Sequence, residues 1–225
     1  MSWEVVQHRG DAARLHGLDL LATPRRSVHV MELATPAVAL GSTQGEDVLD
    51  AAAVAAVGLD VTRRHSGGGL VVMIPGEMAW VDVVIPSDDP LWSDDVGDAF
   101  VWLGHVWADA LHAGDRPGLA VHTGAAVHAD LGRLVCFAGV GSGEVVDRGA
   151  KVVGMSQRRT RSGARFQCLV HRRFDPSVSV AVLAPGVDQG ERLAARLRSG
   201  VGVVDDPTIV VERFVERLGR LAPSA

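Results

Sequence analysis

Gly149-Ala150-Lys151-Val152-Val153-Gly154-Met155-Ser156-Gln157-Arg158-Arg159 is the stretch on which the reading of this chain turns. It places the only lysine of a 225-residue sequence, which carries 22 basic residues in all, at the start of a strand and directly after a tight turn. A sequence so biased towards Arg keeps Lys where a compact ammonium is required that a planar, forked guanidinium cannot replace. The bland alternative is an ordinary edge-strand lysine. Well upstream stands Arg63-Arg64-His65-Ser66-Gly67-Gly68-Gly69. Consecutive glycines between strands reach positive φ and let a ligand approach the main chain, and the two arginines offer charge for a phosphate or carboxylate. The spacing is not that of a phosphate loop, which needs Gly-Lys-Ser/Thr, nor does it open a helix as a dinucleotide fingerprint must. Taken alone, the triple glycine reads first as a plain hairpin turn, since glycine motifs by themselves are weak.

Working outward, the chain is 47% apolar and 22% charged with a formal net charge of -5. That composition supports one sizeable core and excludes a mainly disordered chain. No apolar run approaches the eighteen or so residues of a membrane span. Met1-Ser2-Trp3-Glu4 lacks the pattern of a secretory signal, and Cys136 and Cys168 do not make a disulfide framework. A cytoplasmic protein of one domain, residues 1–225, is expected, with no membrane partner. No nucleic-acid partner is expected either, because the net charge is negative and no reading motif is present.

Periodicity predicts strands over 3–8, 28–32, Ala37–Leu40, 60–64, 70–74, 80–85, 133–138, 144–146, 151–157 and 164–170. Helices are expected over 11–22 and 47–57, and again after Ser93, with Val96, Phe100, Leu103 and Trp107 on one core-packing face. Asp175-Pro176 and Asp206-Pro207 each read as a cap followed by a first-turn proline. Asp147-Arg148-Gly149 and Arg161-Ser162-Gly163 read as hairpin turns. With no helices between the strands from 133 to 170, parallel winding fits poorly. The expected class is α+β, a mixed, mainly antiparallel sheet flanked by helices.

Together the two segments resemble the lipoate–protein ligase, octanoyltransferase and biotin–protein ligase superfamily. The likeness begins at Pro36-Ala37-Val38-Ala39-Leu40-Gly41-Ser42-Thr43-Gln44. It continues through residues 63–69, close to the family's Arg-Arg-x-Ser/Thr-Gly-Gly, and culminates in residues 151–157, like Lys-x-x-Gly-x-Ala-Gln. It spans roughly residues 28–172 and implies a class II synthetase-like catalytic domain, with the residues beyond finishing that domain rather than forming a C-terminal accessory one. The resemblance further implies that Arg63, Arg64, Ser66, Gly67, Gly68, Gly69, Gly154, Ser156 and Gln157 bind the ligand, a medium-chain acyl group in an apolar slot beside the glycines. Lys151 would hold a fixed positive charge near the reacting carbonyl. The acyl group, from lipoate or an octanoyl donor, would pass to a lysine of a lipoyl carrier domain of a 2-oxoacid dehydrogenase or glycine cleavage protein.

Departures from the family pattern bear on the subtype. Ligases follow their glycines with an apolar pair and Tyr-His-Asp or similar, whereas this chain runs Leu70-Val71-Val72-Met73-Ile74-Pro75-Gly76-Glu77. Pro75-Gly76 is similar to the octanoyl carrier-protein transferases, yet their Pro-Cys-Gly turn would fall at Ala184-Pro185-Gly186-Val187, which has no cysteine. A third branch carries its nucleophile upstream of the lysine, and Cys136-Phe137-Ala138-Gly139 agrees with it in order and spacing. A thiol beside a fixed ammonium has its thiolate form favoured, but Cys136 also sits in an apolar run, and free cysteine is commonly core. Both readings stay open; Cys168 reads as core. Three functions follow: a lipoate–protein ligase-like enzyme using ATP and Mg, a Cys136-dependent octanoyltransferase using a thioester and no cofactor, or a catalytically reduced member that binds an acyl ligand or carrier without turnover. The histidines form no metal-ligand pattern such as His-Glu-x-x-His, so no protein-held metal is expected. Arg148, Lys151, Arg158, Arg159, Arg161, Arg165, Arg172 and Arg173 run without an intervening acid, as a solvated hairpin or as a basic face for an acidic partner.

Overall fold

Apolar residues run through β1 (Glu4–Gly10), β2 (Ser27–Leu33), β3 (Ala37–Leu40), β4 (Asp60–Arg63), β5 (Val71–Met73), β6 (Met78–Pro86), β7 (Leu119–Val121), β8 (Val145–Asp147), β9 (Ala150–Arg159) and β10 (Gly163–His171). The helices are α1 (Ala12–His16), α2 (Ala51–Ala56), α3 (Val101–His112), α4 (Ala129–Leu134), α5 (Pro176–Ala181), α6 (Gly190–Gly200) and α7 (Pro207–Gly219). The structure is a computed structural model that describes residues 3–112, 116–187 and 190–221. One sheet has the order β1-β2-β6-β10-β9-β8-β7 and is antiparallel except at the β1–β2 pair. A small sheet has the order β4-β3-β5, parallel on one side and antiparallel on the other. The mixed, mainly antiparallel α+β class is therefore the observed one.

Both faces of the large sheet are covered, which is why β6 and β10 are buried along nearly their whole length. On one face α3 and α7 pack over Val81, Val83, Phe166 and Val170, with the rings of Trp107 and Phe214 stacked at 3.9 Å. On the other, Trp80 and Leu169 meet the small sheet and α6, including Leu193 and Leu197. Each such fully buried side chain contributes about 1.5–3 kcal/mol relative to exposure. β10 thus sends Phe166, Cys168 and Val170 to the α3–α7 layer, and Arg165, Gln167 and Leu169 to the opposite side. No helix among the described residues is long and apolar enough to cross a membrane.

Several elements differ from the periodicity reading. Residues 133–138 are not a strand: α4 ends at Leu134, a single parallel bridge joins Val135 to Leu70, and a 3-10 turn covers Cys136–Ala138. The chain doubles back there because Gly132 and Gly139 touch main chain to main chain; a Cβ on Gly139 would lie 2.9 Å from Gly132 Cα. The expected helix over 11–22 stops at His16, where Arg165 takes the carbonyls of Leu15, His16 and Leu18. The 47–57 helix is cut by Asp50, whose carboxylate caps α2 through the N–H groups of Ala52 and Ala53. Asp95 rather than Ser93 accepts the N–H groups of Gly97 and Asp98 at the approach to α3, and Val96 is left exposed. Strand β7 was not anticipated.

Candidate active site

The glycine loop after β4 is shaped by contact. Gly68 has φ +98, and a Cβ on Gly69 would sit 2.6 Å from Gly132 O. Gly69 N–H donates to Gly132 O at 3.1 Å, Leu70 N–H to Leu134 O at 2.9 Å, and Cys136 N–H returns to Leu70 O at 2.9 Å. This docking brings Cys136 beside the loop: its Sγ would be 4.0 Å from a Cβ on Gly68. Arg64 is buried and braces the loop from within, donating through Nη2 to Gly67 O at 2.7 Å and Gly69 O at 2.9 Å. Arg63 is exposed and donates to the carbonyls of Gly41 and Gln44. Both arginines are thus engaged by main-chain oxygens. Ser66 is buried, donates to Gln167 Oε1 at 2.8 Å, and meets Ser156 Oγ at 2.9 Å.

Lys151 enters this region from β9 and is only 1% exposed. Its ammonium donates to Cys136 O at 2.9 Å and Gly139 O at 3.1 Å, and pairs with Glu144 Oε1 at 2.7 Å. It lies 3.9 Å from Cys136 Sγ and 4.9 Å from the centre of the Phe137 ring. Gly154 makes room for this arrangement: a Cβ there would fall 2.7 Å from Phe137 Cζ and 3.1 Å from Lys151 Cε. Glu144 is held in turn by the N–H groups of Met155, at 2.9 Å, and Gly141, at 2.8 Å. A buried charge needs such a partner, because an uncompensated one costs several kcal/mol. His171 has its pKa lowered to about 3, by burial first and then by the charge of Lys151.

Two cavities meet here. A narrow slot, almost wholly apolar, runs between Ala39, Val71, Met73, Trp80, Phe137 and Leu169, with His16, Arg64 and Gln167 also in its wall. An open cavity of about 340 Å³ is bounded by the main chain of Gly67, Gly68, Gly139 and Gly141, with Lys151, Glu144 and Arg133 as its charges. Cys136, Met155 and Ser156 line both. Cys136 is half-buried, whereas Cys168 is 1% exposed and its thiol pKa is pushed up by burial. The sequence matches the description "Lipoyl protein ligase A/B catalytic domain" over residues 22–220. The chain belongs to that family.

Solved structures share the fold of this family member at low identity. A bi-partite lipoate protein ligase with its E2 lipoyl domain, from Thermoplasma acidophilum, is 17% identical at TM-score 0.73, covering 97% of this chain and 84% of its own. Lipoate-protein ligase A bound with ATP is 18% identical at TM-score 0.66, covering 97% and 86%. A further T. acidophilum structure, with bound lipoic acid, gives 17% and 0.69, covering 97% and 86%. No curated protein matches the chain significantly.

Of the residues singled out in the sequence, the fold gathers Lys151, Cys136, Arg64, Gly67, Gly68, Gly154 and Ser156 around the two cavities. Ser66 lies behind them, hydrogen-bonded to Ser156, and Gly69 packs against α4. Arg63 and Gln157 line neither cavity. Of the basic run, Lys151 and Arg165 are buried in ion pairs and Arg159 lies over the Trp92 ring at 4.0 Å, while Arg148, Arg161, Arg172 and Arg173 are exposed. Glu144, His16 and Gln167 escaped the sequence reading. The only trace of Glu144 there is an acid placed shortly before the sole lysine; His16 leaves none.

Proposed function

We propose that the chain joins a lipoyl or octanoyl group to a lysine of a lipoyl carrier domain. The observation that carries this reading is the junction of the apolar slot with the open cavity at Cys136, Met155 and Ser156, with the Lys151 ammonium beside it. An acyl chain enters along the slot, whose volume of about 40 Å³ must widen around it, and leaves its carbonyl at the junction. Lys151 then trades one of its carbonyl acceptors for the oxygen on which charge develops, the kind of preorganised donor that lowers such barriers most. Glu144 keeps the ammonium in place. The open cavity suits an ATP co-substrate: Gly67 has no atom within 4 Å of where a Cβ would stand, so its main chain is approachable, and Arg133 supplies positive charge beside the Lys151–Glu144 pair. The carboxylate would attack the α-phosphorus of ATP and release pyrophosphate, and the carrier lysine amine would then displace AMP from the acyl-adenylate to form the amide.

The position of Cys136 Sγ, half-buried at the junction and 3.9 Å from Lys151 Nζ, favours a second route. In it the thiolate attacks the acyl carbonyl of a thioester donor and expels the donor thiolate. The carrier lysine amine then attacks the enzyme thioester, forming the amide and returning the Cys136 sulfur with the amine's proton. Mass spectrometry of a lipoyl carrier domain tests both. Incubation with lipoate or octanoate plus ATP, or with an octanoyl-carrier donor, should acylate one carrier lysine. In the thioester route the enzyme itself gains an acyl mass that hydroxylamine removes and Cys136→Ala abolishes; in the ATP route that variant retains transfer. An unmodified carrier under both conditions would leave only a non-catalytic binding role.

A further inference from the structure

Two side chains in the slot wall keep a buried polar atom without a partner, Arg64 Nε beneath the glycine loop and His16 Nε2, and only His16 leaves both its ring and its role unexplained by the loop. His16 closes α1, lines the slot but not the open cavity, and is 5% exposed. Its ring rests on Trp80 with centroids 4.3 Å apart. Its carbonyl is held by Arg165 at 3.1 Å, so ring and backbone are both fixed.

The hydrogen-bond chain sets the tautomer. Ser66 Oγ donates to Gln167 Oε1, which turns the Gln167 amide nitrogen towards His16 Nδ1 at 3.1 Å. Nδ1 must therefore accept. Burial, followed by the charges of Arg165, Arg64 and His65, lowers the His16 pKa to about 3, so near neutral pH the ring carries a single proton. That proton is on Nε2, and Nε2 is buried with no hydrogen-bond partner. A buried donor without a partner costs free energy that a ligand acceptor recovers.

We propose that His16 Nε2–H reads the tail of the acyl chain, donating to a sulfur of a dithiolane ring and so favouring a lipoyl over an octanoyl group. The inference rests on the slot being the acyl site. A saturated hydrocarbon tail would leave the donor buried and unpaired. A dithiolane offers polarisable acceptors at the tail end of the chain. Sulfur is a weak acceptor, so the discrimination is modest rather than absolute.

Calorimetric binding of lipoate and octanoate, each as free acid and as pantetheine thioester, to the full chain and to His16→Phe tests it. The unsubstituted chain should prefer the lipoyl form by about fivefold, the effect of one modest hydrogen bond. His16→Phe, which keeps a ring against Trp80, should remove that preference, chiefly by weakening the lipoyl form, and His16→Gln should restore part of it. An unchanged ratio in His16→Phe sinks the role of His16 while the acyl slot stands. Failure of the unsubstituted chain to bind either acyl form removes the slot reading, and this one with it. Independently of any variant, ¹⁵N-histidine NMR should show His16 as the Nε2–H tautomer, its proton shifting with lipoate and not with octanoate. The Nδ1–H tautomer would overturn the assignment.

Discussion

Two buried ion pairs sit on neighbouring strands, and they are built differently. Arg165 faces Asp82 at 2.6 Å, and its remaining donors are used by the carbonyls of His16, Leu18 and Leu15, while Trp80 Nε1 caps the other Asp82 oxygen at 2.6 Å. The guanidinium fork is saturated and lines neither cavity. Lys151 pairs with Glu144 at 2.7 Å, places its other protons on two loop carbonyls, and borders the open cavity. A planar fork suits a permanent clamp on several carbonyls. A compact, rotatable ammonium can exchange one acceptor for another. Every other Lys/Arg position in the chain is Arg, and on the function proposed above its one Lys stands where an acceptor would be exchanged.

The largest expected effect is on chemistry. Lys151→Arg keeps the charge but brings a wider group against the Phe137 ring and Gly154. Acyl transfer should fall by about a hundredfold or more, with cooperative melting retained. Equal activity would show that charge alone suffices and that the two pairs are interchangeable. Next comes stability. Arg165→Met leaves Asp82 buried without its counter-charge, and urea denaturation should report a loss of about 3–5 kcal/mol. Lys151→Met should cost less, because Glu144 keeps two N–H donors and borders the open cavity. If both variants lose the same amount, the contrast between clamp and exchangeable donor fails. Gly154→Ala should cost about 1–3 kcal/mol through the clash with Phe137. It should also lower kcat by displacing the lysine stem; a loss of stability with kcat intact would mean that Gly154 serves packing alone.

What could be read ahead of the fold follows from the range of the interactions involved. Lys151 and the glycine loop were legible because their demands are local: a lone lysine after a tight turn, and glycines where φ is positive or two main chains touch. The Arg148–Gly149 turn, with φ 49 and 85, was legible for the same reason. The stretch 133–138 was not, since its apolar residues suit a strand and only the long-range contact of Gly69 with Gly132 makes it helix and turn. Arg165 looked like surface charge because nothing near it in sequence reveals Asp82, 83 residues away. Glu144 and His16 belong to the same class. Their roles depend on partners that only the sheet brings close.

Each pair also keeps a neutral histidine beside it, which gives the comparison a readout in pH. His16 lies by Arg165 and His171 by Lys151, and both have pKa lowered from 6.5 to about 3, chiefly by burial and then by those charges. Above 6.5 neither folded nor unfolded chain protonates these rings, so the stability of burying them neutral is fully present. As pH falls below 6.5 the unfolded chain takes up protons that the folded chain refuses, and stability declines until the folded value near 3. Between pH 7 and 5.5 each ring should contribute a loss of about 1 kcal/mol. His171→Leu should therefore flatten the stability–pH profile over this window by about that amount, while His16 continues to supply its share. A profile unchanged by His171→Leu would mean that His171 binds its proton equally in both states. The field of Lys151 at that ring would then be cancelled by Glu144 and its burial made good by a partner on Nε2, which has none in the structure.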